Sequence, residues 1–214
     1  MDIDTAAPAA RRRPGRPPKR IDAHLDTRGA LIRCGTEVLT EKGFAATGID
    51  EVLRRVGVPK GSFYHYFDSK EAFGRAVIEH YAAYFARKLD RCFLDTQRSP
   101  LARVAAFVEE ACAGMARFGF RRGCLIGNLG QEMAVLPEAY RAQLEAVFED
   151  WQARLARCLQ AAQAAGEIAP EADCAALAAF FWIGWEGAVL RAKLVRDDAP
   201  LRHFAQHFLN GLPR

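Results

Sequence analysis

Apolar positions recur at helical spacing along most of the chain, and turn-forming residues interrupt them at defined points. Leu31, Cys34, Val38 and Leu39 mark one face of a first helix over 27–42, which Gly43 ends. Thr47-Gly-Ile-Asp50 has the spacing of a capping box, and Ile49, Val52, Leu53 and Val56 form the buried stripe of a short second helix. Gly57-Val-Pro59 is the following turn, because Pro59 fixes φ and donates no hydrogen bond, which suits the start of a new helix. That third helix, over 60–67, is too short to stand alone and is expected to be held down by Phe63 and Phe67, four residues apart. Asp68-Ser-Lys-Glu71 opens a long helix towards Cys92, with Phe73, Val77, Tyr81, Tyr84, Phe85 and Leu89 at helical spacing. Two short helices around a glycine-containing turn, braced by a third, make a helix-turn-helix.

Further on, the pattern predicts a helix over 101–118, a glycine-punctuated stretch over 119–134, and two long helices over 138–166 and 171–195. Tyr140, Leu144, Val147, Phe148, Trp151, Leu155, Cys158 and Leu159 give the first of these a continuous apolar stripe. Residues 174–190 are apolar almost all round, so that helix must be covered on more than one side. The two helices are therefore expected to form a four-helix bundle with a symmetry mate, making a homodimer. The chain shows no internal repeat and no strand-like alternation, and the expected fold class is all-α. The organisation expected is a flexible basic arm over 1–25, a helix-turn-helix over 26–72 and a helical domain over 73–214.

Composition changes this picture only where charge is located. The 214 residues carry a formal charge of +4. Residues 1–70 hold 13 Lys and Arg against 9 Asp and Glu, a surplus of four, whereas residues 71–214 hold 17 of each. All the surplus sits at the N-terminal end, and a small basic part joined to a neutral, apolar-rich part points to a reader of polyanions attached to something else. Acids, prolines and arginines occupy the first 20 residues where a signal peptide would carry an apolar run. The apolar stretch 174–185 is too short to span a bilayer, so a cytoplasmic location with no membrane partner is expected. Six cysteines without a C-x-x-C pair read as thiols rather than a disulfide framework.

The stretch "GVPKGSFYHYFDSKEAF" (57–73) combines five aromatic residues with lysines. With Phe63 and Phe67 turned inwards, Lys60, Ser62, Tyr64, His65 and Tyr66 occupy the other faces. Tyrosine hydroxyls on stiff rings suit phosphate contacts, Lys60 and Ser62 suit base edges near the helix start, and Gly61 lets backbone approach DNA closely. Lys70, in the first turn of the next helix, has the placement of a phosphate clamp. The alternative is that Tyr64 and Tyr66 only cap a core and the lysines are solvated; the preceding helix, the turn and the charge surplus weigh against it.

Residues 43–81, "GFAATGIDEVLRRVGVPKGSFYHYFDSKEAFGRAVIEHY", resemble the DNA-binding domain of the tetracycline-repressor (TetR) family of bacterial regulators, the likeness covering 27–81. The resemblance implies an all-helical, dimeric repressor that binds a palindromic operator on double-stranded DNA and is released when a small-molecule inducer enters the C-terminal domain. It also implies that Thr47, Lys60, Ser62, Tyr64, Tyr66 and Lys70 fall on DNA-contacting positions, with His65 beside them. "GCLIGNLGQEMA" and "WEGAVLRAK" resemble more narrowly the branch that contains the N-ethylmaleimide repressor and the acrylate-utilisation repressor. That likeness implies a small α,β-unsaturated ligand such as acrylate or its thioester, or a related oxidant.

The arm "RRRPGRPPKR" (11–20) carries six basic residues and no acid. Its Gly-Arg-Pro resembles the core of an AT-hook, which would place Arg13 and Arg16 on DNA, although Pro14 replaces an arginine of that pattern. A polybasic tail that only raises non-specific affinity is the alternative.

Cys124 follows Arg121 and Arg122, and nearby positive charge lowers a thiol pKa, so covalent sensing at Cys124 stands beside inert packing. A ligand pocket is expected from Phe118, Phe120, Cys124, Asn128, Trp182 and Trp185, each aromatic of which has a packing alternative. Glu132 and Glu186 lie in apolar surroundings and need partners if buried, with Arg191 and Lys193 as candidates. His203 and His207 are four apart but lack a third metal ligand. Nothing resembles a phosphate loop, a nucleophile elbow or a zinc-enzyme motif, so no cofactor, metal or enzyme chemistry is expected. A hydrolase using Cys124 with His80 or His65, and an architectural DNA binder led by the arm, are the readings from other classes.

Overall fold

The computed structural model describes residues 21–214, with side chains from residue 27 onward. The expectations for Arg13 and Arg16 lie outside the described residues. In chain order the elements are α1 (Ile21–Lys42), α2 (Ile49–Val56), a 3-10 helix (Lys60–His65), α3 (Lys70–Phe93), α4 (Pro100–Arg117), α5 (Leu125–Gln131), α6 (Ala139–Ala164), α7 (Cys174–Val195) and α8 (Ala199–Asn210). The described residues contain no strand.

Local chemistry explains most boundaries. α2 ends where Gly57 turns left-handed (φ 74°), so that its N–H donates to Arg54 O and the Val58 N–H to Leu53 O, the paired bonds of a Schellman motif. Ser69 caps α3 by accepting the Ala72 N–H at 3.0 Å. Asp173 caps α7 by accepting the N–H groups of Ala175 and Ala176, both at 3.0 Å.

Four expectations need correction. Helix α1 begins at Ile21, so residues 21–25 belong to it rather than to an arm. The capping box at Thr47 does not form: Gly48 is the N-cap of α2 without a side-chain bond, and the Thr47 hydroxyl donates back to Gly43 O at 2.6 Å. The third helix is a 3-10 turn two residues shorter than expected, consistent with the poor stability of so short an α-helix. The stretch after Gly119 contains a helix, α5, that its glycines concealed.

The head is fastened to α3 by rings. Phe63 and Phe67 are buried and meet Phe73 with ring centroids 5.6 and 5.0 Å apart. Aromatic contacts of this kind contribute about 1 kcal/mol each beyond the area they bury. α6 docks on α3 where Gly74 leaves room for the Tyr140 hydroxyl, which donates to Glu71 O at 2.9 Å; a Cβ at Gly74 would lie 2.0 Å from that oxygen.

A second aromatic core joins α3, α4, α6 and α7 around Phe85, Phe107, Trp151, Phe181 and Trp182, with Trp151 and Trp182 centroids 5.1 Å apart. By length and composition alone α7 could cross a membrane. It packs instead against α6 and α8, and its apolarity serves two faces. One face lies in this core; the other leaves Ile183 and Leu194, at 73% and 70% exposure, with Leu190 between them. The α6 stripe, by contrast, is spent inside the chain: Tyr140, Leu144, Val147, Trp151, Leu155 and Leu159 are all buried. The apolar stripe that remains exposed belongs to α7.

Candidate nucleic-acid interface and effector cavity

The 3-10 segment presents its polar side because the Phe63 ring is fully enclosed beneath it. Tyr64 is 63% exposed, standing edge-on to Phe63 with centroids 5.4 Å apart, which stiffens the ring while leaving its hydroxyl outside. Lys60, Gly61 and His65 are exposed, and a Cβ on Gly61 would meet nothing within 4 Å. Ser62 is half-buried, its N–H donating to Pro59 O at 2.9 Å. A shallow cleft brings Lys60, Tyr64 and Lys70 together with Ile49 and Asp50. Lys60 Nζ lies 3.0 Å from Asp50 Oδ2, but both side chains are exposed, and such a pair holds the ammonium by no more than about 1 kcal/mol.

Three of the expected contact residues are placed differently. Thr47 is buried and its hydroxyl is committed to Gly43 O, so that side chain offers nothing to a phosphate. Lys70 turns inwards: its Nζ donates to Phe44 O at 2.9 Å and sits 4.4 Å from the Phe44 ring centre. Burial lowers its pKa, with the Glu132 carboxylate opposing the shift. It staples the α1–α2 turn to α3. Tyr66 is half-buried against the core rather than free on the surface.

The other site is a cavity of about 280 Å³ between α1, α3, α4 and α7, at the small end of the range for small-molecule sites. Of the six residues expected there, Phe118, Cys124 and Trp185 line it. Phe120, Asn128 and Trp182 do not. The Trp182 ring is sealed in the aromatic core. Asn128 is a strut between helices, donating through Nδ2 to Thr40 O at 2.9 Å and accepting from Lys193 Nζ at 3.3 Å.

The Cys124 environment is the reverse of the one its neighbours in sequence suggest. Arg122 points elsewhere, donating to Glu41 at 2.8 Å and Glu37 at 3.3 Å with its guanidinium 4.2 Å over Phe118. The thiol is enclosed, caps α5 by accepting the Gly127 N–H at 3.4 Å, and faces Glu186. Burial first, and then the Glu186 carboxyl, push its pKa well above the ordinary thiol value. A thiolate at neutral pH is disfavoured. Neither His65 nor His80, the bases considered for a cysteine hydrolase, lines the cavity.

Among the described residues Glu186 has no basic partner within ion-pair distance. Lys193 goes to Asn128, and Glu186 Oε1 is sealed from water without a hydrogen bond, although the side chain as a whole is half-buried. Burial pushes its carboxyl pKa up to about 7, with Cys124 pulling the other way. Glu132, the other acid, accepts the backbone N–H groups of Phe44 at 3.1 Å and Ala45 at 2.8 Å. Sequence reading missed Tyr81 and Lys88 as cavity residues because α3 reads as a core stripe. The available signal was Lys88 itself, a cation seven residues after Tyr81 on an apolar face. Among the described residues no cluster of three metal-ligating side chains exists.

Comparison with known proteins places this geometry. Residues 31–77 match the family described as bacterial regulatory proteins, tetR family, and residues 100–208 match the tetracyclin repressor-like C-terminal domain. The chain is 52% identical to the transcriptional regulator AcuR of Cereibacter sphaeroides, over 97% of this chain and 95% of that one. It is 33% identical to the HTH-type transcriptional repressor NemR of Escherichia coli K12, over 86% and 93%. It is 32% identical to the HTH-type transcriptional repressor DhaR of a Mycobacterium species, over 85% and 90%. The crystal structure of a regulatory protein TetR from Rhodobacter sphaeroides superposes with a TM-score of 0.85 at 54% identity, covering 87% of this chain and 98% of the other. Reduced NemR from E. coli superposes with a TM-score of 0.81 at 30% identity, covering 87% and 97%. With its helix-turn-helix head, enclosed phenylalanine anchor and helical C-terminal body, the chain belongs to the TetR family of transcriptional regulators.

Proposed function

We propose that this chain is a dimeric transcriptional repressor that grips a near-palindromic operator through its 3-10 segments and lets go when a small molecule fills the cavity beside Cys124. The carrying observation is the exposed Tyr64 edge with Lys60, Gly61 and His65, mounted on the enclosed Phe63. In a two-fold dimer the paired segments enter successive major grooves about 34 Å apart. The partner surface is the α7 stripe of Ile183, Leu190 and Leu194, flanked by α8.

A path from cavity to head supports ligand control. Cys124 lines the cavity and caps α5; Asn128, one turn on, holds Thr40 of α1; Glu132, at the end of α5, holds the Phe44 and Ala45 N–H groups. A displacement of the α5 start therefore reaches the turn that orients α2. The ligand class implied by the narrower resemblance is a small α,β-unsaturated compound such as acrylate or its thioester. Reversible binding is favoured over covalent modification because burial keeps the Cys124 thiol protonated.

The test is anisotropy of a labelled duplex that the purified chain selects from a random pool, titrated with acrylate and followed in parallel by intact mass. Operator release without a mass change supports the reading. Absence of any selected duplex overturns it, and release only with a mass increase on Cys124 replaces reversible binding by the covalent route.

A further inference from the structure

One peptide group in the turn between α1 and α2 is held from both sides by opposite charges. The carbonyl of Phe44 accepts from Lys70 Nζ at 2.9 Å, and the N–H of Ala45, the other half of the same peptide group, donates to Glu132 Oε2 at 2.8 Å. A trans peptide points these two groups in opposite directions, so its dipole runs between the carboxylate and the ammonium in the favourable sense. Glu132 Oε1 also accepts the Phe44 N–H, at 3.1 Å. The Phe44 side chain is fixed as well. Its ring stands edge-on to Tyr140 with centroids 5.4 Å apart, in a notch that a Cβ at Gly74 would close by approaching Phe44 Cε2 to 2.6 Å.

The three elements that meet here are the ones that aim the head. Phe44 precedes α2, and Lys70 opens α3 just after the 3-10 segment, so their bond joins residues 26 positions apart and closes the helix-turn-helix at its base. Phe44 O also accepts the Thr47 N–H at 3.2 Å, one residue before the Gly48 N-cap, which carries the tilt of this peptide into the start of α2. Glu132 ends α5 and belongs to the body.

We propose that Lys70 and Glu132 are positioning residues for operator recognition, clamping the Phe44–Ala45 peptide so that both ends of the helix-turn-helix keep one angle to the body. This rests on reading the head as the operator-binding part. Lys70 acts on DNA through the turn and not by touching phosphate, because its ammonium is engaged by the Phe44 carbonyl and by the Phe44 ring, 4.4 Å away. The two residues work as a unit: loss of either charge frees the same peptide to rotate, and the second bond then holds a turn that has already lost its angle.

The full chain and its Lys70→Met, Glu132→Gln and doubly substituted forms test this in two ways. Against a duplex that the natural chain selects from a random pool, each single substitution should weaken binding by about fivefold or more, the usual size of coupling between separate sites. The dependence of log affinity on log salt should keep its slope, whereas losing a phosphate lysine from both heads of a dimer would lower that slope by about two. The double substitution should cost less than the two single losses together. Without DNA, hydrogen exchange at the Ala45 amide should quicken in Lys70→Met, although that amide is bonded to Glu132 and not to Lys70. Unfolding curves verify that each form is folded at the assay temperature, and Lys70→Gln takes the place of Lys70→Met if the latter does not fold. A lower salt slope, losses that simply add, natural affinity in the folded variants, or an Ala45 amide indifferent to Lys70 would each overturn the clamp. Failure to select any duplex sinks the proposed function instead, and the exchange measurement then decides the clamp alone.

Discussion

The side-chain carboxylate of Glu132 accepts the backbone N–H of Ala45 at 2.8 Å, tying the end of α5 to the turn between α1 and α2. The bond requires Gly43 to stay small, since a Cβ there would lie 2.0 Å from Glu132 Oε1, and Gly43 already holds a left-handed φ of 84°. Gly43→Ala should therefore cost at least about 1 kcal/mol from strain alone and more from the displaced carboxylate. Glu132→Ala should bind the effector normally but lose part of its effect on operator affinity. Urea unfolding checks the first expectation, and operator titration with and without effector checks the second.

Tyr64→Phe removes one hydroxyl from an exposed ring that remains seated on Phe63. Operator affinity should drop by about tenfold with an unchanged melting temperature. Phe63→Ala, by contrast, empties an enclosed position and should destabilise the head by about 3–5 kcal/mol. If Y64F and the natural chain bind alike, the phosphate role of this tyrosine is wrong.

Glu186 gives a pH signature. Its folded pKa of about 7 lies above the ordinary 4.5, so below pH 4.5 it is protonated in both states and contributes no difference. Between pH 4.5 and 7 the unfolded chain gives up the proton while the folded chain keeps it, and stability falls. Above pH 7 the loss is complete, at about 3 kcal/mol for a shift of this size. Glu186→Gln should remove that decline, seen as a widening stability gap over the natural chain from pH 5 to pH 8 in denaturant titrations.

The exposed stripe of α7 predicts the assembly. Ile183→Glu or Leu194→Glu puts a charge where the dimer would bury an apolar side chain, and both should shift sedimentation from dimer to monomer while leaving helical content intact. The corresponding change on α6, at exposed Glu149→Lys, should leave the assembly unaltered.

Cys124 should resist alkylation. With its thiol enclosed and its pKa raised, iodoacetamide at pH 7 should modify it far more slowly in the folded chain than in urea, as peptide mass mapping would reveal.

The long helices, their order and the helix-turn-helix were legible along the chain, because periodicity is a local property, whereas the 3-10 form of residues 60–65 and the short α5 were not. The turn at Gly57, a helix start within 68–71 and the inward Phe63 and Phe67 all follow from neighbours within a few residues. Direction of approach was not legible. Thr47 and Lys70 have the composition of phosphate contacts, but the fold aims both inwards at backbone carbonyls. Arg122 lies two residues from Cys124 in sequence, yet spends its charge on α1, while Glu186, 62 positions away, faces the thiol.

The amino-acid order thus determined the all-helical architecture and the place of the helix-turn-helix, since each depends on spacing along one helix or turn. Tertiary packing alone decided which thiol stays protonated, which acid goes unpaired and which apolar stripe is left for a partner. Those outcomes depend on desolvation and on contacts between α1, α3, α5 and α7, and two residues far apart in sequence acquire an electrostatic relationship only when the fold removes the water between them.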